Sequence, residues 1–143
     1  MILVDSSVWI DFFSSSPGRA GTELRRMIEE AEPFALTGIV VTEVLQGLTR
    51  DARRIEQYLM QWEMLEPHGF ETYREHTPTR QRRACWGPRA ASIYRAARAK
   101  GITPTTIDAV IAAIALEHKA SVFTLDQDFF RIASITRLAL YDF

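Results

Sequence analysis

Short apolar runs alternate along this chain with longer stretches of helical period, and that alternation most limits what it can fold into. Ile2, Leu3 and Val4 form a continuous apolar run, so Met1 to Val4 reads as a strand buried on both faces. "FALTGIVV" (34–41) and "SVFTL" (121–125) are further strands, and "RLALYDF" (137–143) is the last. A short strand is also expected around Phe70, between Pro67–Gly69 and the irregular stretch that follows. Strands separated by helices lead to a parallel sheet covered on both faces. The expected architecture is α/β: a central parallel β-sheet of about five strands flanked by helices, in one domain spanning residues 1–143.

The helices follow from spacing and caps. Val8 to Phe13 is a short helix that Ser6 or Ser7 can cap, and "SSSPGRAG" is a loop. Thr22 caps a helix to Ala31 with Leu24, Met27 and Ile28 on one face, stopped by Pro33. Thr42 caps a helix beginning "EVLQGL". Ile55, Tyr58, Leu59 and Trp62 recur at helical spacing and place a helix over about 52–65. Ala90 to Lys100 is a helix closed by Gly101. The clearest helix follows Thr105 or Thr106, with Ile107, Val110, Ile111 and Ile114 as its apolar stripe. "QDFFRIAS" is a short one.

Composition narrows the function classes. Hydrophobic residues make up 47 %, enough for a core without disulfide or metal to hold the fold. The formal net charge is −1, so any nucleic-acid binding must use a local basic patch, a metal or an added subunit. Cys85 is the one cysteine and has no zinc-site spacing around it; a small packed thiol is its expected role. There is no basic n-region before a long apolar run and no run of membrane-spanning length, so a soluble cytoplasmic protein is expected.

The apolar first strand ends in a carboxylate, and the chain repeats that device. In an open parallel sheet, ligands bind beyond the carboxyl ends of the strands. Asp5 lies at that end of the first strand and Asp126 just past "SVFTL". Glu43 follows "TGIVV" in the first turn expected of its helix, and Asp108 lies in the first turn of the helix leading to "SVFTL". An acid at a helix start also has a purely structural use, because it accepts free N–H groups and suits the dipole. Four acids on one rim ask for more: they repel and raise each other's pKa unless a cation lies among them. Hard oxygen ligands with open positions suit Mg²⁺ or Mn²⁺ rather than zinc. Such a site activates water and stabilises charge on a phosphate in flight.

"LVDSSVWID", "TGIVVTEVLQGL", "IDAVIAAIALEH" and "VFTLDQDFFRIA" together resemble the signature blocks of PIN-domain ribonucleases, and more narrowly the VapC-type toxins of toxin–antitoxin (VapBC) pairs. The resemblance spans essentially the whole chain, in family order. It implies a PIN-like fold, with Asp5, Glu43 and Asp108 as catalytic, metal-holding acids and Asp126 as the fourth. Asp128 is close enough to share or replace that role. Ser7 falls on a small polar position beside the metal site, and Thr124 is a partner for the carboxylates. The implied activity is a Mg²⁺- or Mn²⁺-dependent endoribonuclease that cleaves structured RNA (tRNA or rRNA) by metal-activated water, leaving a 5′-phosphate and a 3′-hydroxyl. The implied partners are RNA, a cognate VapB-type antitoxin and a second copy in a homodimer. One departure from the pattern is Lys119, where many relatives end the helix with Gly.

Two other classes stay open from the residues. A haloacid-dehalogenase-type phosphohydrolase needs a second Asp two residues after its nucleophile, and Ser7 occupies that place. A non-catalytic RNA- or protein-binding module of the same fold has no need of four repelling acids. The segment Arg74–Lys100 is basic, and Arg80, Arg82 and Arg83 are its RNA-binding candidates, with Trp86 beside them able to stack on a base. His68, His76 and His118 lack metal spacing. Asp11 is expected to face solvent or cap a neighbour, and Trp9, Phe12 and Phe13 offer more apolar surface than one core face needs, which suggests a partner surface.

Overall fold

The computed structural model describes residues 1–47, 51–66 and 86–143, with side chains from 89 onward in the last segment. Five strands form one sheet: β1 (Ile2–Val4), β2 (Phe34–Leu36), β3 (Glu63–Met64), β4 (Ser121–Phe123) and β5 (Ala139–Leu140). Their order is β3-β2-β1-β4-β5, and every pair is parallel. The helices are α1 (Ser6–Phe12), α2 (Arg19–Glu29), α3 (Gly38–Gly47), α4 (Ala52–Leu59), α5 (Trp86–Ala99), α6 (Thr106–His118) and α7 (Gln127–Ala133). Leu3, Val4, Ala35, Leu36, Val122 and Phe123 are fully buried, as continuous apolar strands of a covered parallel sheet must be. The sheet grows outward from β1 in both directions, so chain order reverses between β1 and β4. In open parallel sheets ligands bind at such a switch point, in the crevice beyond the strands' carboxyl ends.

Several boundaries differ from those expected. "FALTGIVV" is not one strand: β2 ends at Leu36, and Gly38 already begins α3. Thr37, not Thr42, caps it, its Oγ1 accepting from Val40 N at 3.2 Å. Thr42 lies inside the helix, donating to Gly38 O at 2.8 Å. The β-branched run Ile39–Val41 reads as strand by propensity, but burial of Val40, Val41 and Val44 against the core holds it helical. The helix expected over 52–65 stops at Leu59, and Glu63–Met64 pairs with Ala35–Leu36 as an edge strand. A two-residue strand is too short to show a period of its own. The strand expected at Phe70 lies outside the described residues, as do Cys85, His68, His76, Arg80, Arg82, Arg83 and the side chain of Trp86.

α2 starts at Arg19, earlier than the Thr22 cap implied. The cap is supplied from another helix. Asp11 accepts from Gly18 N at 2.8 Å and from Gly21 N at 2.7 Å, closing the end of α2 onto α1. Glu23 of α2 accepts from Tyr141 Oη at 2.8 Å, next to β5, and pairs with Arg26 at 2.8 Å. The aromatic residues of α1 do not form an open partner surface. Trp9 is fully buried, and Phe12 and Phe13 pack with it at 5.6 and 5.8 Å between ring centres, under Tyr58 of α4. The period had revealed their apolar character; α4 packs against them but leaves Phe12 and Phe13 half-buried. The residue of α1 left exposed is Ile10.

α6 ends without glycine. Lys119 takes φ 54°, ψ 36° in the left-handed region and its N–H bonds Ala115 O. Adopting that conformation costs a non-glycine residue about 1 kcal/mol, which the buried face of α6 offsets.

Candidate active site

β1 delivers Asp5 to the crevice and leaves it 3 % exposed. Its Oδ2 accepts from Ser7 Oγ at 2.6 Å, Ser7 N at 3.3 Å and Thr124 Oγ1 at 2.9 Å. Asp5, rather than Ser6 or Ser7, is therefore the N-cap of α1. All three bonds fall on Oδ2, so Oδ1 takes none of them. Thr124, at the end of β4, also accepts from Asp126 N at 2.9 Å, and Ser7 Oγ accepts from Leu125 N at 3.0 Å. Ser7 and Thr124 thus tie the ends of β1 and β4 together across the switch point and fix the Asp5 carboxylate between them.

Asp108 is 8 % exposed and closes a capping box at the start of α6. Its Oδ2 accepts from Thr105 N at 2.7 Å and Thr105 Oγ1 at 2.6 Å, and Thr105 Oγ1 accepts from Asp108 N at 3.1 Å. Glu43 does not lie in a first turn. It is the sixth residue of α3, half-buried, with a hydrogen bond from Ser6. α3 starts earlier than its sequence suggests, so the carboxylate reaches the site from mid-helix.

The charges show which acids face one another. Burial pushes the Glu43 carboxyl up from its ordinary value, and the charges of Asp5, Asp108 and Asp126 push the same way against the Ser6 hydrogen bond. Burial also raises Asp108; Thr105 opposes it, and the charges of Asp126 and Asp128 add to it. Asp126, exposed, caps α7 by accepting from Asp128 N at 2.9 Å. Asp128 is ion-paired to Arg131 at 2.8 Å. Asp126 acts on both Glu43 and Asp108. Four elements of the fold thus set mutually repelling carboxylates around one crevice.

That repulsion has a measurable sign. A carboxyl raised in the folded state binds its proton more tightly there, so stability falls as pH rises through the window above the ordinary value of 4.5. Glu43→Gln, free of metal, is therefore expected to melt at or above the temperature of the parent protein at pH 7. The difference should shrink near pH 4, where Glu43 is protonated in both states. Thermal melts at the two pH values check this, and a variant less stable at pH 7 than the parent would contradict it.

The donor set suits a hard divalent cation. It offers carboxylate oxygens only, several are half or fully buried, and Glu43 and Asp108 are costly to ionise where they stand. Among the described residues no three His, Cys, Asp or Glu side chains already stand as a ready-made metal cage. Asp5 and Asp108 each commit one oxygen to hydroxyl and amide donors. His118 stands apart, with Nε2 3.0 Å from Glu66 O, as its lack of metal spacing implied. Of the two caps the sequence offers for α6, Thr105 is the one used; that its hydroxyl and amide hold Asp108 was not foreseen, and the T-x-x-D capping pattern was the signal for it. Sequence reasoning also missed Ser6, which reaches Glu43.

Comparison with known proteins agrees with this architecture. The PIN domain family model matches residues 2–135. Ribonuclease VapC11 of Mycobacterium tuberculosis is 33 % identical over 147 aligned positions, covering 100 % of this chain and 99 % of the relative. Among solved structures, FitAcB from Neisseria gonorrhoeae superposes with a TM-score of 0.68 at 23 % identity, covering 99 % of this chain and 97 % of that one. VapBC2 from Rickettsia felis, bound to a DNA fragment from its promoter, superposes with a TM-score of 0.68 at 16 % identity, covering 100 % and 99 %. No helix among the described residues is long and apolar enough to cross a membrane. By its family match and by its identity to a relative aligned end to end, this chain belongs to the PIN-domain family and, within it, to the VapC ribonucleases.

Proposed function

We propose that this protein is a metal-dependent endoribonuclease toxin that cleaves structured RNA, tRNA or rRNA, and is silenced by a cognate VapB-type antitoxin. The observation that carries the reading is the convergence of Asp5, Glu43, Asp108 and Asp126 from four elements upon the crevice between β1 and β4, close enough to disturb one another's charge. Asp5, Glu43 and Asp108 would hold Mg²⁺ or Mn²⁺, with Asp126 as the fourth acid. Asp128 is the weaker candidate because Arg131 already neutralises it. A bound divalent ion supplies positive charge for the phosphate and lowers the pKa of water.

The chain's own groups do the rest. Ser7 and Thr124 pin Asp5 Oδ2, so the unbonded Oδ1 is held ready without rotamer freedom to lose. Thr105 does the same for Asp108. Glu43 and Asp108 are raised by burial and by their neighbours, a cost that a cation held among the acids would offset. Ser7 donates to Asp5 where a haloacid-dehalogenase-type enzyme needs an acid, which argues against that class. Family membership supports antitoxin partnership and is the ground for expecting a homodimer; an antitoxin segment bearing Arg or Lys would compete with metal for the acidic rim.

The test is cleavage of a total tRNA and rRNA pool by the purified chain with Mg²⁺ or Mn²⁺, with EDTA and Asp5→Asn as controls, read by mapping new 5′ ends. Discrete cuts lost in both controls are expected. A folded, antitoxin-free protein that cuts nothing would favour the non-catalytic binding module instead.

A further inference from the structure

At the far end of α6 from Asp108 lies a second feature of opposite sign. A cavity of about 520 Å³ is lined by Arg89 of α5, Lys119 at the end of α6 and Arg137 in the loop before β5, together with Ala115, Leu116 and Ala139. Three elements contribute one cation each, and among the described residues no acid lines the cavity. None of the three cations is ion-paired among the described residues.

Helix stability does not account for this cluster. A cation near the end of α6 suits the dipole, but Arg89 lies in the first turn of α5, where positive charge opposes it. Three like charges around one cavity also repel one another. An anion in the cavity relieves both costs.

The surroundings identify the kind of anion. α5 and α6 pack as a hairpin, so Arg89 sits by the end of α6 and Tyr94 and Arg95 sit by its start, against Thr106, Ala109 and Val110. α5 contains no acidic residue, and Arg95 and Arg98 are exposed along it, with Lys100 exposed just past its end. Cations therefore continue from the cavity towards the end of the hairpin that carries Asp108. Asp108 and Lys119 are separated by roughly 16 Å along the axis of α6. An extended polyanion fits such a row better than a single small ion, because successive phosphates meet successive cations.

We infer that Arg89, Lys119 and Arg137 form an RNA-backbone docking site remote from the acidic crevice, which holds a structured substrate by its phosphates while another part of it lies at the acids. The choice of RNA as ligand rests on the ribonuclease reading above. The consequence is a length requirement: an RNA that spans both sites gains from the cavity, whereas a short strand confined to the crevice does not.

The experiment compares full-length Asp5→Asn protein, which leaves RNA uncut, with the same protein carrying Arg89→Ser, Lys119→Asn and Arg137→Ser. Binding of total tRNA and of a short single-stranded oligonucleotide is measured across a salt series. Three lost phosphate contacts should flatten the tRNA slope of log K against log salt by roughly 2 and weaken binding about tenfold or more at low salt. The short strand should bind both proteins alike. Lys119→Asn keeps a residue that tolerates the left-handed conformation, and Arg137→Glu alone, on an exposed loop, is the second variant should the triple one misfold. An unchanged tRNA slope overturns the inference. An unchanged slope together with lost binding of a poly-glutamate probe overturns it in favour of an acidic protein partner. If the native chain cleaves no RNA yet the slope still falls, the docking site stands and the nuclease reading fails.

Discussion

Asp5→Asn is expected to lower RNA cleavage at least a hundredfold while leaving the fold intact. The three hydrogen bonds to this side chain all fall on Oδ2. An asparagine with its carbonyl in that position keeps them, and asparagine is as good a helix cap as aspartate. What it loses is the charge and the lone pairs of Oδ1. Removing one preorganised electrostatic group from a site of this kind costs about 10²–10³ in rate, or about 3–4 kcal/mol. The melting temperature without metal should hold or rise, because one of the charges that raise Glu43 is gone. Added Mg²⁺ should raise the melting temperature of the parent protein and do so less for the variant, since a ligand stabilises only the state that binds it. Cleavage rate and melting curve together check this. A variant that keeps its rate removes Asp5 from the chemistry; one that loses rate and fold together shows a structural role instead.

The largest effect on stability is expected from Gly21→Ala. A Cβ at Gly21 would lie 2.8 Å from Phe12 N and 2.9 Å from Asp11 C and Phe12 Cα. These are backbone atoms of α1, so no side chain can turn aside, and α2 must move off α1. Overpacking of this kind costs about 1–3 kcal/mol. The same movement stretches the Asp11 bonds that cap α2, at 2.8 and 2.7 Å, adding about 1 kcal/mol. The better helix propensity of alanine returns at most about 1 kcal/mol. The net loss of about 2–3 kcal/mol corresponds to a fall in melting temperature of about ten degrees for a chain of this size. Gly38→Ala is the contrast: nothing lies within 4 Å of its Cβ, and the change should be neutral or slightly stabilising. Equal losses at the two glycines would contradict the steric account.

The sequence by itself determined the α/β class, the parallel sheet and the candidate acids. The apolar residues of Ile2–Val4 and of Val122–Phe123 read as strands buried on both faces, and the polar residue after each falls at the carboxyl edge. Asp5 and Asp126 were legible because each combines that position with a helix start, and Asp108 because it lies in the first turn of the clearest helix. Other features are decided between elements distant in the chain, and no local pattern records them. Glu43 reaches the crevice because burial of Val40, Val41 and Val44 makes a β-branched segment helical from Gly38. β3 exists because Glu63–Met64 finds a partner in β2. α2 is capped by Asp11, seven and ten residues away, and Thr124 meets Asp5 across 119 residues. The aromatic residues of α1 find their packing partner in Tyr58 of α4. Propensity acts over a few neighbouring residues, whereas burial and hydrogen-bond pairing act across the whole fold. Where the two conflict, as at Ile39–Val41, the larger free energy of tertiary packing prevails.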